Sequence, residues 1–149
     1  MAAEAFTLVD FVRESNMIEG IYREPTKEEI QAHEQLFSQQ ITVESLREFV
    51  RTIAPGCDLR DGPGMDVVIG NHRPPYGGPL IPCLLSDLIS DLYGLSAYEA
   101  HHRYERLHPF MDGNGRSGRA LWLMLMGGIA KVPLGFLHTW YYQSLDYGR

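Results

Sequence analysis

Residues 96–126 read S-A-Y-E-A-H-H-R-Y-E-R-L-H-P-F-M-D-G-N-G-R-S-G-R-A-L-W-L-M-L-M. Ser96 and Glu99 have the spacing of a capping box, and Ala97, Ala100, Tyr104 and Leu107 recur at helical spacing, which predicts a helix ending at His108. Pro109 stops it, because the residue before a proline is pushed out of the α region. A loop carrying Gly113 and Gly115 follows, and a strongly apolar helix is expected from about Arg116 to Met126.

Upstream, Ile81, Leu84, Leu85, Leu88 and Leu92 mark another helix that ends at Gly94. From Cys57 to Pro79 the pattern changes: Asp61, Gly62, Pro63 and Gly64 are turn formers, Val67, Val68 and Ile69 are β-branched, and Pro74 and Pro75 forbid helix. A β-hairpin flap over about residues 57–75, followed by an extended loop, is the expectation. Before it, a helix begins near Thr42, carries Val43, Leu46, Phe49, Val50 and Ile53, and stops at Pro55 and Gly56. The first of this series opens with Thr26 and Glu29 behind Pro25 and sets Ile30, His33, Phe37 and Ile41 in one stripe. No repeat, linker or low-complexity segment interrupts residues 1–149, so a single, mainly α domain with a flap is expected.

With 149 residues and 44% hydrophobic composition, the chain suits one core and one active site. A net charge of −6 and a pI near 5.4 argue against a nucleic-acid partner, which would need clustered Lys and Arg. Cys57 and Cys83 form neither a disulfide framework nor a zinc motif, which favours a cytoplasmic, reducing setting. Apolar runs such as Leu121 to Met126 fall far short of the roughly 20 residues that span a bilayer, so no membrane partner is expected. His101 and His102 lack matching ligands and read as a helix-surface pair, while Trp140, Tyr141 and Tyr142 read as core packing.

The segment from His108 to Arg119 gathers one base, one carboxylate, an amide and two guanidiniums around glycines, which suits an anion site. Gly113 and Gly115 let the backbone turn and approach a ligand, and the next helix aims free N–H groups at it. Asp112 offers a hard oxygen to a magnesium ion, which keeps most of its coordination for water and phosphates. Arg116 and Arg119, three residues apart, can grip phosphate oxygens, and His108 can take a proton near neutrality. Arg116 and Ser117 exclude an EF-hand loop, and no G-x-x-x-x-G-K-[ST] motif is present.

H-P-F-M-D-G-N-G-R-S-G-R, residues 108–119, resembles without a departure the Fic family signature H-P-F-x-[DE]-G-N-G-R-x-x-R. The likeness extends over about Ser15 to Met126, with Leu59, Arg60, Val67 to Gly70, His72, Pro74 and Pro75 resembling the family's flap. It implies a helical core and a protein adenylyltransferase that moves AMP from ATP to a Tyr, Thr or Ser hydroxyl of a target protein. By that resemblance His108 is the catalytic base, Asp112 holds Mg²⁺, and Gly113, Asn114 and Gly115 bind the α- and β-phosphates. Arg116 and Arg119 bind the β- and γ-phosphates, buried Phe110 anchors the loop, and Val67, Val68 and Ile69 dock the target's extended segment.

Residues 15–20, S-N-M-I-E-G, match the family's inhibitory pattern [ST]-x-x-x-E-[GN]. The resemblance implies an inhibitory segment over about residues 7–20, in which Ser15, Glu19 and Gly20 act and Glu19 takes Arg119 away from the γ-phosphate. For a buried ion pair the effect is expected at roughly 3–5 kcal/mol. The alternative for this stretch is a helix end with Glu19 in solvent and Gly20 as a cap. For the whole chain the alternatives are a de-AMPylase and a non-catalytic ATP-binding interaction module. Self-modification, assembly with a second copy and delivery into another cell stay open.

Overall fold

Threonine or serine starts four of the six α-helices among the described residues. In the computed structural model, which describes residues 6–129, Thr7, Thr26 and Thr42 each cap a helix in a reciprocal capping box, with Asp10, Glu29 and Ser45 respectively. They open α1 (Leu8–Ile18), α2 (Lys27–Ser38) and α3 (Val43–Ile53). α4 (Leu80–Asp91) runs into a 3₁₀ turn over Leu92–Gly94, α5 (Ala97–Leu107) follows, and α6 (Asn114–Leu125) is the last helix among the described residues. Ser96 caps α5 by accepting from the Glu99 N–H.

The inward face of α2 is Glu29, Ala32, His33 and Leu36, with Ile30 and Phe37 at its margin. Ile41 is buried, but it lies past the helix end, because the chain goes extended at Gln39. α6 begins at Asn114, two residues before the start expected from its apolar run, because Gly113 in the left-handed region (φ 83°) forms its N-cap.

α6 is the central helix. Every residue from Asn114 to Leu123 except Gly115 is buried, with α5 along one side and α3 and α1 on others. α5 comes close because Gly118 has no side chain: a Cβ there would lie 3.1 Å from Tyr104 Cδ1 and 3.3 Å from His101 Cε1. His101 is therefore interior rather than on the helix surface, and burial pushes its imidazole down to about 4.

The main core joins Leu46, Phe49 and Val50 of α3 to Ile81 and Leu85 of α4, Tyr104 of α5 and Leu121 of α6. α1 sits on a second, smaller cluster, in which Phe11 and Val12 meet Ala97, Trp122 and Leu123. Burying side chains of this size contributes roughly 1.5–3 kcal/mol each.

The expected hairpin does not form as strands. Among the described residues, 57–79 contain only two isolated bridges, Ile69 with His72 and Leu59 with Phe110. The stretch around Val67 has no regular secondary structure, with Val67 and Ile69 half-buried and Val68 exposed. A ladder fails because the carbonyls of Met65 and Pro75 accept from the Arg60 guanidinium, at 3.0 and 2.9 Å, and the Gly77 N–H donates to the Asp66 carboxylate at 2.8 Å. Pro74 and Pro75 also have no N–H to give. The segment is an irregular loop tied from within by a side chain.

Among the described residues no helix is long and apolar enough to cross a membrane, and no group of three or more His, Cys, Asp or Glu could hold a metal. Cys57 and Cys83 are free thiols. Trp140, Tyr141 and Tyr142 lie outside the described residues.

Candidate functional site

The loop between α5 and α6 is fixed one residue at a time. His108 caps α5 in the left-handed region (φ 50°, ψ 63°) and is the one non-glycine residue with positive φ among those described. Pro109 thus drives its neighbour out of the right-handed α region, but into αL rather than into extended backbone. Such a conformation persists only where the surroundings over-determine it. Here the Arg60 N–H donates to the Pro109 carbonyl at 2.9 Å and the Met111 N–H to the Asp58 carbonyl at 3.1 Å. Asp58 is in turn gripped by Arg47 (3.0 and 3.1 Å) and Arg51 (3.0 Å) of α3. The Arg47 guanidinium holds its carboxyl well below the usual range.

Asn114 closes the loop. Its side chain accepts from the Phe110 N–H at 2.9 Å and donates to the Phe110 carbonyl at 2.8 Å, while the Phe110 ring is fully buried. These bonds hold the Asn114 amide against Phe110, and the backbone of Gly113, Asn114 and Gly115 at the start of α6 is available to an anion. From beneath, the Tyr104 hydroxyl donates to Ser117 Oγ (2.7 Å), which donates to the Gly113 carbonyl (2.7 Å).

His108 is half-buried, and burial lowers its pKa from 6.5; the Glu105 carbonyl and Glu19 oppose this, while Arg60 and His72 add to it. With Nδ1 facing the Glu105 carbonyl at 3.3 Å, Nδ1 carries the proton and Nε2 keeps its lone pair. Asp112 is exposed and accepts from the Gly113 N–H at 2.7 Å, leaving a second oxygen for a cation.

The two arginines part company. Arg116 is buried and its Nη1 donates to the Ile53 carbonyl at 2.7 Å, at the C-terminus of α3. Arg119, fully buried, turns to α1, where its Nε donates to Ser15 Oγ (2.8 Å) and its Nη2 to the Ser15 carbonyl (3.0 Å) and to Glu19 Oε1 (2.6 Å). Glu19 is the C-cap of α1. Gly20 follows at φ 79°, and the bonds from the Gly20 N–H to the Met17 carbonyl and the Ile21 N–H to the Asn16 carbonyl form a Schellman motif. Gly20 is thus a cap, and the turn it permits presents Glu19 to Arg119.

The Glu19 carboxylate lies directly over Gly115, where a Cβ would collide with Oε1. The first turn of α6 therefore faces an anion supplied by the chain itself, as the free N–H groups and the positive end of the helix favour. Val67, Val68 and Ile69 stand on the tied loop, and among the described residues the main chain of Val67 and Val68 makes no hydrogen bond to other backbone groups. Asp58 and Tyr104 carry no motif signal for the parts they play, and the flap resemblance that includes Arg60 does not indicate its bonds to carbonyls far along the chain, because only the fold brings those partners near.

Residues 80–126 match the Fic/DOC family. The chain is similar to the protein adenylyltransferase Fic of Drosophila erecta, 33% identical over 93 residues that cover 55% of this chain and 19% of that protein. It is also similar to the protein of that name from Drosophila willistoni, 30% identical over 93 residues with the same coverage, and from Drosophila persimilis, 32% identical with 18% of that protein covered. The chain spans about a fifth of the length of these curated relatives.

Proposed function

We propose that this chain is a protein adenylyltransferase of the Fic type, moving AMP from ATP to a Tyr, Thr or Ser hydroxyl of a target protein and held back by Glu19. The observation that carries this reading is the pairing, on one loop, of a neutral His108 with an anion-binding helix start already faced by a carboxylate of the same chain. The adenylyltransferase names of its relatives point the same way.

In this reading the α- and β-phosphates lie on the backbone of Gly113 to Gly115 and the γ-phosphate takes the place of Glu19 on Arg119. Arg116 acts from behind, anchoring the first turn of α6 to α3. Nε2 of His108 takes the target's hydroxyl proton as that oxygen attacks the α-phosphorus. The bond from the α-phosphorus to its bridging oxygen breaks, pyrophosphate leaves, and the products are an AMP ester and a protonated imidazole. Catalysis then comes chiefly from position and fixed charge. A single exposed carboxylate beside phosphates suits Mg²⁺, which is commonly held by one or two protein oxygens, so Asp112 would hold it and it would neutralise phosphate charge. The main chain at Val67 and Val68, which bonds to no other backbone group among the described residues, would take a target segment by β-augmentation. Two free thiols suit a reducing, cytoplasmic compartment.

The test is label transfer to lysate proteins from ATP labelled on the α- or the γ-phosphate, by the wild-type chain, Glu19→Gly and His108→Ala. Transfer of the α-label alone, absent in His108→Ala, supports the reading. Transfer of the γ-label, or none from folded Glu19→Gly that binds ATP, rejects it.

A further inference from the structure

Arg60 is fully buried, and its guanidinium makes four hydrogen bonds, each to a backbone carbonyl: Nε to His108 (2.6 Å), Nη2 to Leu107 (3.0 Å), and Nη1 to Met65 (3.0 Å) and Pro75 (2.9 Å). Burying a cation without a contacting carboxylate is unfavourable unless its donors are satisfied, and here burial lowers the Arg60 pKa while Asp66 opposes that. The site compensates by geometry. Leu107 and His108 end α5, where unpaired carbonyls concentrate the negative end of the helix. Met65 and Pro75 lie on the two arms of the loop over 62–78.

The main chain of Arg60 works on the same two parts. Its N–H donates to the Pro109 carbonyl at 2.9 Å and its carbonyl accepts from Gly78 at 2.9 Å. One residue therefore fixes the carbonyls on both sides of the strained His108–Pro109 link and both arms of the loop. Since His108 sits in αL, where the backbone does not hold itself, the direction of its ring depends on those bonds.

We propose that Arg60 is a positioning residue for His108, locking the base and the target-facing loop into one unit. The proposal rests on the adenylyltransferase reading for its catalytic consequence but not for its structural one. Lysine cannot replace the planar fork, since one ammonium cannot reach four carbonyls spread over two segments.

The experiment uses Arg60→Met and Arg60→Lys, each alone and with Glu19→Gly, in the full chain, with folding checked by circular dichroism. First, long-range ¹H–¹⁵N spectra, assigned with His108→Ala, report the tautomer of His108. The wild type is expected to show a single Nδ1–H form, and both Arg60 variants an exchanging mixture. Second, binding of a fluorescent ATP analogue is expected to change less than threefold, because none of the Arg60 guanidinium's four hydrogen bonds goes to residues 113–115 or Arg119, while α-label transfer in the Glu19→Gly background falls at least 100-fold. An unchanged tautomer in a folded variant, loss of nucleotide binding in step with transfer, or failure of both variants to fold would each overturn the proposal. If the Glu19→Gly parent transfers no label, the transferase reading fails, and the tautomer spectra alone decide the role of Arg60.

Discussion

Replacing Glu19 by glycine should release the site by a modest, calculable amount. The substitution is local: Glu19 has ordinary C-cap dihedrals (φ −91°, ψ 9°), the Schellman bonds come from the Gly20 and Ile21 main chain, and Arg119 keeps both bonds to Ser15. What is lost is one charge-assisted hydrogen bond at 2.6 Å and the carboxylate over Gly115. A bond to a charged group contributes about 1.5–3 kcal/mol. The Glu19 side chain is 37% exposed, so solvent screens the pair, and about 1–2 kcal/mol is the better figure. The 3–5 kcal/mol expected from the sequence belongs to a pair buried on both sides, and here only Arg119 is. At 1.4 kcal/mol per factor of ten, ATP should bind Glu19→Gly about 5–30-fold more tightly. Calorimetric titration of both chains with ATP and magnesium measures this directly. Affinities within twofold of each other, with both chains folded, would refute the argument that Glu19 and a phosphate compete for one place.

Burial holds the His108 imidazole below 6.5, so it is deprotonated, and able to act as base, at neutral pH. Transfer should therefore lose activity only as pH falls through a value under 6.5, and a rate profile still rising between pH 7 and 8 would contradict this. Asn114→Ala leaves both backbone groups of Phe110 buried and unpaired, so stability should drop by about 2–4 kcal/mol in urea unfolding. Gly118→Ala sets a helix-propensity gain of about 1 kcal/mol against overpacking of about 1–3 kcal/mol. Buried Tyr104 and His101 leave little room to yield, so the melting temperature should fall.

The helices were legible because their starts are chemical. Thr26 with Glu29, and Thr42 before a clean apolar stripe, announce themselves. Ile41 continued a helical period by accident, since its burial comes from a turn in the chain rather than from α2. The loop from His108 to Arg119 was legible as a composition, but the division of labour inside it was not. Asn114 and Arg116 read from their spacing as ligand groups, and the structure adds bonds their spacing does not announce, from Asn114 to Phe110 and from Arg116 to Ile53 of α3. The β-branched run at Val67 to Ile69 suggested strands because propensity measures fit to a pleated surface, and here no second strand is available to provide one. His101 looked like a surface residue because the approach of α5 to α6 depends on a missing side chain at Gly118.

The small cluster beneath α1 bears on the proposed competition between Glu19 and a nucleotide. Because Phe11 and Val12 seat α1 on Trp122 and Leu123, in a cluster separate from the main core, Glu19 is a ligand tethered on a helix with a small core of its own. A group held on the same chain competes at an effective concentration on the order of millimolar or above. In the adenylyltransferase reading ATP must displace that internal competitor, so half-occupancy of the wild-type chain should need about 5–30 times the free nucleotide that Glu19→Gly needs, and loosening Phe11 from its seat should lower that factor.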